Sequence, residues 1–478
     1  LDDWCYTVTP NAVAVTLPPP LERPIRYVVV VDGEHYPSVI EAAFGRLRDR
    51  GAELAGAVMA GGREKLPPGG LDQVAGVTIR EGSNAPGLLA EALKELAPDA
   101  VLDLSDDPVL DYRRRHELAA VALHRGVRYE GAGFSFQPPR RPRLCAKPSV
   151  AVIGTGKRTG KTAVAALAAR SLVAGGWSPV VVAMGRGGPP EPQVGPPRAR
   201  LEPEALVRLA DAGRHAASDY IEDAALAHVP TVGCWRCGSG VAGDVEFSNV
   251  EPGVALANDL PGNLLLLEGS GSAIPPVHAD VTCLVVPANI DIEYLRGYFG
   301  PYRLLLSDVA VVTMCEKPFA SPSQISSIVG HIREAFRGLS NRGDSQGEIR
   351  VAATVLRPAA SDPLEGASVF VATTAPEAAG EQIRSHLETY EKCRVVAITH
   401  SLSNRSQLER ELQAIEGADV LLCEIKAAGV DVAIRRALDA GLRVSYLDNV
   451  PQSIDGHDLG DLFTSAAELA SVRFAGAV

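Results

Sequence analysis

Short apolar runs rich in Val, Ile and Leu recur along the chain, separated by longer stretches in which apolar positions return with helical spacing. Residues 27–32 (YVVVVD) form the first run, of the kind that makes a parallel strand buried on both faces. A helical pattern follows over 38–50, with strand-like runs near 55–60 and 74–80. Further strands are expected at 100–105 (AVLDLS) and 127–130, with a helix over 114–125 between them. This alternation predicts a doubly wound α/β unit from about 25 to 137. A segment rich in Pro and Arg, 137–148 (QPPRRPRLCAKP), reads as a linker. The pattern resumes with a strand at 149–153, a helix at 161–174 and strands at 179–184, 264–267, 281–286 and 309–314. Beyond Pro363 it restarts, with strands at 368–373, 395–399, 420–423 and 443–446. That last stretch is either a third domain or a continuation of the second sheet.

Composition sharpens the picture. A chain of 478 residues is too long for one hydrophobic core. A net charge of −12 argues against a general nucleic-acid binder, because no basic excess neutralises a phosphate backbone, while a small polyanionic substrate remains open. The eight cysteines are scattered through apolar runs, as buried free thiols are, which suits a reducing cytoplasm. No apolar run is long enough to span a bilayer, and the start LDDWCYTVTP lacks the basic region of a signal peptide. A cytoplasmic protein with a small-molecule substrate is expected, without nucleic-acid or membrane partners; a homo-oligomer, taken as a dimer, completes the expectation.

The candidate chemistry centres on SVAVIGTGKRTGKT, a glycine-rich turn between a buried strand and a helix. Glycines there let successive N–H groups curl around phosphate oxygens, and the positive end of the following helix adds to the field. The nucleotide-binding residues are Gly154, Thr155, Gly156, Lys157, Arg158, Thr159, Gly160, Lys161 and Thr162. Lys161 would reach the β- and γ-phosphates of ATP, and Thr162 would offer its hydroxyl to Mg²⁺. One feature departs from G-x-x-x-x-G-K-[ST]: its first glycine falls at position 155, which is Thr155, with glycines on either side. A glycine-rich turn without a nucleotide is the plainer reading, and GKT in a strand–loop–helix context outweighs it. Glu268, ending the run LLLLE, lies where an acid at the carboxyl end of a parallel strand could hold Mg²⁺ directly or through water; an ordinary strand-end Glu before a turn is the alternative. The whole is thus expected to be α/β, with an N-terminal extension (1–24) and an N-terminal doubly wound, substrate-side domain (25–147). A P-loop NTPase-type parallel-sheet domain (148–360) and a C-terminal α/β region (361–478) would follow.

Several motifs together resemble the cyclic 2,3-diphosphoglycerate synthetase family: DGEHYP from Asp32, YEGAGFSFQPP from Tyr129, GTGKRTGKT from Gly154, MGRGGPPEP from Met184 and GRHAASDYIEDA from Gly213. GCWRCGSGVAG from Gly233, EGSGSAIPPV from Glu268, VFVATTAP from Val369 and EIKAAGVDV from Glu424 continue the resemblance in order. It implies ATP-dependent closure of a phosphoanhydride between the two phosphates of 2,3-diphosphoglycerate, with release of ADP and phosphate. The loop and the acidic strand also resemble the dethiobiotin-synthetase branch of P-loop enzymes. Alternatives are a phosphoglycerate kinase-like or acid-activating ligase of that branch, and an ATP-dependent switch that binds a partner, for which Lys157 superficially fits.

Closing such a ring brings like charges together. Each pair of unit charges about 4 Å apart costs roughly 4 kcal/mol at an effective dielectric of 20, so Mg²⁺ and a cluster of cations are required. Lys157, Arg158, Lys161, Arg186 and Arg236 are the candidate catalytic cations. Asp32, Glu34, His35, Tyr36, Arg186, His215 and Arg236 are the candidate substrate contacts. Asp219 and Asp223, four apart on one helix face, offer a carboxylate to join Thr162 and Glu268 at the metal.

Weaker signals have plain readings. The acids after residue 31 also suit a helix N-terminus, and Arg113–Arg115 suits a solvated helix face. Cys234-x-x-Cys237 has no second ligand pair for zinc and reads as two thiols on a glycine-rich loop. His278 and Asp280 read as structural. Thr313–Glu316, after a strand, lies where related nucleotide enzymes read the base.

Overall fold

The structure, a computed structural model, describes residues 23–195, 201–340, 349–425 and 427–477. The expected extension, 1–24, lies outside the described residues except for its last two positions. Two compact units divide at Pro138/Pro139.

Among the described residues of the first unit seven strands form one sheet: β1 (Arg26–Val31), β2 (Glu53–Met59), β3 (Gln73–Val74), β4 (Val77–Arg80), β5 (Ala100–Asp103), β6 (Arg128–Gly131) and β7 (Phe134–Phe136). Their order is β3-β4-β2-β1-β5-β6-β7, with β1 central and parallel to β2 and β5. Burial on both sheet faces explains the unbroken RYVVVV of β1. The single strand expected at 74–80 is instead a hairpin, β3 antiparallel to β4. Ala75 and Gly76, both at positive φ, make the reversal.

The second unit holds thirteen strands among the described residues. These are β8 (Ser149–Gly154), β9 (Pro179–Gly185), β10 (Gln193–Gly195), β11 (Thr231–Cys237), β12 (Phe247–Ser248), β13 (Leu264–Glu268), β14 (Val281–Pro287), β15 (Val309–Thr313), β16 (Arg350–Ala360), β17 (Ser368–Ala372), β18 (Arg394–Thr399), β19 (Val420–Cys423) and β20 (Arg443–Ser453). They form one continuous sheet, β10-β11-β9-β13-β8-β14-β15-β16-β20-β19-β17-β18, with β12 paired to β11. The two long strands join its halves. β16 runs parallel to β15 over its first residues and antiparallel to β20 over the rest, while the start of β20 runs parallel to β19. The chain beyond residue 360 therefore continues the sheet of the nucleotide region.

The final helix, Leu459–Ala475, returns to the first half of this unit. Its Leu462, Phe463, Ala466 and Ala470 share a core with Val164, Ala165 and Ala168 of the helix Lys161–Ala174. Much of the segment read as a linker is bound to the second unit: Lys147 Nζ donates to Leu260 O at 2.6 Å and Asn258 Nδ2 to Leu144 O at 2.8 Å.

Candidate active site

The phosphate loop sits at the centre of the second sheet. β8, buried along its length between β13 and β14, ends at Gly154, and the loop turns into the helix Lys161–Ala174. A Cβ at Gly154 would lie 2.7 Å from Lys161 Cδ, 2.9 Å from its Cγ and 3.0 Å from Thr159 Oγ1. Here a glycine is required because the lysine stem lies across the strand end, which explains how the loop works with Thr155 in the next position. The buried Lys161 sends Nζ to Gly156 O at 2.7 Å and to Thr159 Oγ1 at 3.3 Å. Thr159 O in turn accepts from Thr313 Oγ1 at 2.7 Å, tying the loop to the end of β15. Buried Thr155 Oγ1 makes no hydrogen bond within the protein.

Glu268 ends β13 in register with Val152 of β8. Thr162 Oγ1 donates to Glu268 Oε1 at 2.7 Å. The other oxygen, Oε2, is buried and makes no hydrogen bond to the protein. A carboxylate is held out of water only at a cost, so an acceptor left open here invites a cation. Two hard oxygen donors side by side match Mg²⁺. Among the described residues no three His, Cys, Asp or Glu side chains converge as a metal cluster, so phosphate and water oxygens would complete the shell.

Next to Glu268 the chain makes a tight turn. Ala273 N donates to Ser270 O at 3.0 Å, with Gly271 at φ 62°. Arg186 and Arg236 meet over this glycine: a Cβ on Gly271 would lie 2.9 Å from Arg186 Nη2 and 3.3 Å from Arg236 Nη2. Arg236 is buried and donates to Ser270 O at 2.8 Å and Gly238 O at 3.2 Å, while its Nε is buried without a partner. Burial, and then the neighbouring Arg186, push its pKa down, with Asp219 opposing. Two guanidiniums packed over one bare glycine form a seat for anions.

Lys161, Thr162, Arg186, Ser270 and Gly271 line one cavity of about 1040 Å³, together with the exposed Lys157 and Arg158, while Glu268 and Arg236 are not among its lining residues. Asp219, the first residue of the helix Asp219–Ala227, faces it with Glu222; Asp223 is fully buried and does not line it. Spacing puts Asp223 on the same helix face as Asp219, yet it is Glu222 that lines the cavity beside Asp219. Exposed His215 packs on Gly187 outside the lining, and Arg214 donates to Gln193.

Cys234 and Cys237 lie on β11 and not on a loop. Strand alternation sends residues three apart to opposite faces. Cys234 is buried, its thiol pushed up to about 12 by burial, and Cys237 is exposed. That separation removes both the zinc and the dithiol readings.

In the first unit Asp32 is fully buried at the carboxyl end of β1. Its Oδ1 accepts from Glu34 N at 3.0 Å and meets His35 Nδ1 at 2.7 Å, and its Oδ2 accepts from Asp106 N at 2.7 Å. Asp32 therefore orders the turn that presents Glu34, His35 and the exposed Tyr36. Arg115 is no solvated face residue: it donates to buried Asp103 at 2.8 Å, which also accepts from Tyr129 at 2.9 Å. Arg114 donates to Val109 O at 2.9 Å.

Comparison with known proteins matches three family models along the chain. They are the cyclic 2,3-diphosphoglycerate synthetase N-terminal domain over residues 26–137, the P-loop domain over 149–339 and the C-terminal domain over 361–450. A cyclic 2,3-diphosphoglycerate synthetase from Rubrobacter xylanophilus is 44% identical over 437 residues, covering 90% of this chain and 96% of that protein. Proteins of the same name from Methanothermobacter thermautotrophicus and Methanothermus fervidus are 41% and 39% identical, covering 94% and 93% of this chain and 97% of each relative. Among the described residues no helix is long and apolar enough to cross a membrane.

Proposed function

The chain belongs to the cyclic 2,3-diphosphoglycerate synthetase family, and from that premise we propose how its own residues carry the reaction. The activity is ATP-dependent: an intramolecular phosphoanhydride closes between the two phosphates of 2,3-diphosphoglycerate, and ADP and phosphate leave. The kinase-like, acid-activating and partner-switch alternatives are not favoured, because all three domain models of the one family match in order.

The loop from Gly154 to Thr162 holds the triphosphate. Lys161 exchanges Gly156 O for phosphate oxygens, and the loop amides and Thr155 hydroxyl face the same charge. Thr162 and Glu268 would hold Mg²⁺, with Asp219 near its outer shell; when bound, the ion neutralises charge on the phosphates. Arg186, with Arg236 beside it over Gly271, takes the substrate phosphates, and the exposed cavity residues Lys157 and Arg158 offset the repulsion as the two anions meet. An oxygen of one substrate phosphate attacks the γ-phosphorus, and the bond to the β–γ bridging oxygen breaks to release ADP. An oxygen of the neighbouring phosphate then attacks the phosphorylated group at its inner phosphorus, and inorganic phosphate leaves. Glu34, His35 and Tyr36 are read as substrate contacts, His215 as an outlying one and Asp32 as their support. The reading extends to a cytoplasmic homodimer.

The observation that carries the site assignment is Arg186, which meets Arg236 over Gly271 and lines the same cavity as Lys161 and Thr162. Phosphorus NMR on protein with ATP, Mg²⁺ and 2,3-diphosphoglycerate should show two coupled diphosphate-like signals growing with ADP and phosphate. Lys161→Ala should abolish them while circular dichroism stays unchanged. An active variant would remove the site assignment, and a linear transferred phosphate would remove the ring closure.

A further inference from the structure

The turn under Arg186 and Arg236 is held by a further guanidinium that the reaction chemistry leaves without a task. Ser270 N donates to Ala273 O at 3.2 Å and Ala273 N to Ser270 O at 3.0 Å, with Gly271 at positive φ and Ser272 not, the pattern of a type II′ reversal. Arg236 of β11 takes the carbonyl that enters the turn, Ser270 O. Ser272 O, on its far side, accepts from Arg303 Nη2 at 2.7 Å. Two buried arginines from elements far apart in the chain thus clamp one short turn at both ends. Ile274 N, donating to Gly243 O at 2.7 Å, secures the exit.

Arg303 stands on the short helix Gly300–Leu306, whose Tyr302, Leu304 and Leu305 are buried, and Ser307 Oγ donates to its carbonyl at 2.6 Å. Its side chain is 6% exposed and does not line the cavity. Its hydrogen-bond partners among the described residues are two backbone carbonyls, Ser272 O and Phe299 O at 3.1 Å, and its Nε is buried without one. Burial pushes its pKa down to about 10, against the pull of Tyr302 and the exposed Asp244, so it is charged at neutral pH. A buried cation bonded to no carboxylate is costly. Carbonyl dipoles offset part of that cost, and an anion seated at the turn offsets more. Room for the guanidinium depends on Gly243, where a Cβ would lie 3.1 Å from Arg303 Nη2. We propose that Arg303 is a positioning residue for the ring closure: it fixes the Ser272 carbonyl, keeps Gly271 against Arg186 and Arg236, and adds a third positive charge to the field that draws the substrate phosphates there. This role rests on the reading of the turn as the seat of those phosphates, whereas the triphosphate of ATP is held by the loop from Gly154 to Thr162.

The two substrates should therefore respond differently. Steady-state kinetics on the full chain compare wild type with Arg303→Met, Arg303→Gln and Arg303→Lys, and with Arg186→Gln as a control for the seat itself. Arg303→Met removes both donors and charge at similar length, and a thermal melt checks its fold. Where it fails to fold, Arg303→Gln, which keeps a donor but no charge, carries the measurement. Expected in Arg303→Met is a rise of about tenfold in the KM for 2,3-diphosphoglycerate, the order of one lost hydrogen bond to a charged group, with kcat and the KM for ATP little changed. Arg303→Gln should show a rise of roughly threefold from the lost charge alone. In both, log KM against log salt should be shallower than in wild type, because one cation fewer attracts the anion; loosened packing alone does not alter that slope. Arg303→Lys should recover most of the loss, since the Ser272 contact is a single bond and not a fork. An unchanged KM for 2,3-diphosphoglycerate in a folded Arg303→Met or Arg303→Gln, equal rises for both substrates, or no recovery in Arg303→Lys would overturn the role. If Arg186→Gln left that KM unchanged, the seat would fall first and the role of Arg303 with it.

Discussion

Replacing Gly154 by alanine separates catalysis from stability in a way that the loop geometry makes quantitative. The new methyl would stand 2.7 Å from Lys161 Cδ and 2.9 Å from Cγ, against about 3.5–4.0 Å for an unstrained carbon pair. Relieving both contacts moves the lysine stem by roughly 1 Å. Thr159 Oγ1, 3.0 Å from the same point, blocks the other direction. The backbone itself tolerates the change, because Gly154 is not at positive φ, and alanine removes freedom from the unfolded chain, worth about 0.4–1 kcal/mol of stability. A reacting group displaced by about 1 Å costs on the order of 10²-fold in rate, or about 2.7 kcal/mol of barrier. Steady-state ADP release at saturating ATP should therefore show kcat down about a hundredfold in Gly154→Ala, with the melting temperature level or slightly raised. Wild-type kcat in that variant would refute the steric reasoning, since the lysine would then tolerate displacement. A collapse of the melting temperature would refute it too, by showing that the glycine serves the fold.

Other consequences are as direct. Glu268→Gln keeps the shape but removes the charge facing Thr162, so the Mg²⁺ concentration for half-maximal rate should rise by about tenfold or more while ATP-free stability changes little; an unchanged metal titration would count against the carboxylate as ligand. Gly271→Ala puts a methyl 2.9 Å from Arg186 Nη2 at a φ that disfavours side chains. The KM for 2,3-diphosphoglycerate should climb about tenfold with the KM for ATP steady, and equal rises in both would show that the turn serves the nucleotide. His278 is held neutral, its pKa lowered from 6.5 to about 4 by burial first and by Arg143 and Arg141 next, with Asp280 opposing. Between those values the unfolded chain binds more protons, so stability falls as pH drops from about 6.5 toward about 4. His278→Asn should flatten that part of the urea-midpoint profile, and an unaltered slope would assign it to other groups.

What could be read from the residues, and what could not, follows from the range of the interactions involved. The central strands announce themselves because burial on both faces makes them apolar throughout, as in LLLL of β13. The phosphate loop is readable because strand, turn and helix are neighbours in the chain, and Glu268 because it ends an unbroken apolar strand. The junction of β16 with β20 is hidden by Pro358 and Pro451, which argue against strands, yet pair opposite Asn449 and Leu356 in the antiparallel stretch. The sheet's continuity thus emerges only from pairing across about ninety residues. Arg186, Arg236 and Gly271 come from three separate strand ends, so their meeting is a product of topology. Choosing Glu222 over Asp223 needed burial, because both lie within one turn of Asp219.

The return of the last helix to the flank of the phosphate-loop helix bears on how such a chain can be made and cut. Residues of that helix fill the same core as residues some three hundred positions earlier, so during synthesis that core can close only after the whole intervening stretch has left the ribosome. Expressing 139–360 alone would leave Val164 and Ala168 facing water where Phe463 and Ala466 belong. A fragment of that kind should aggregate, and supplying the missing piece in trans should rescue it.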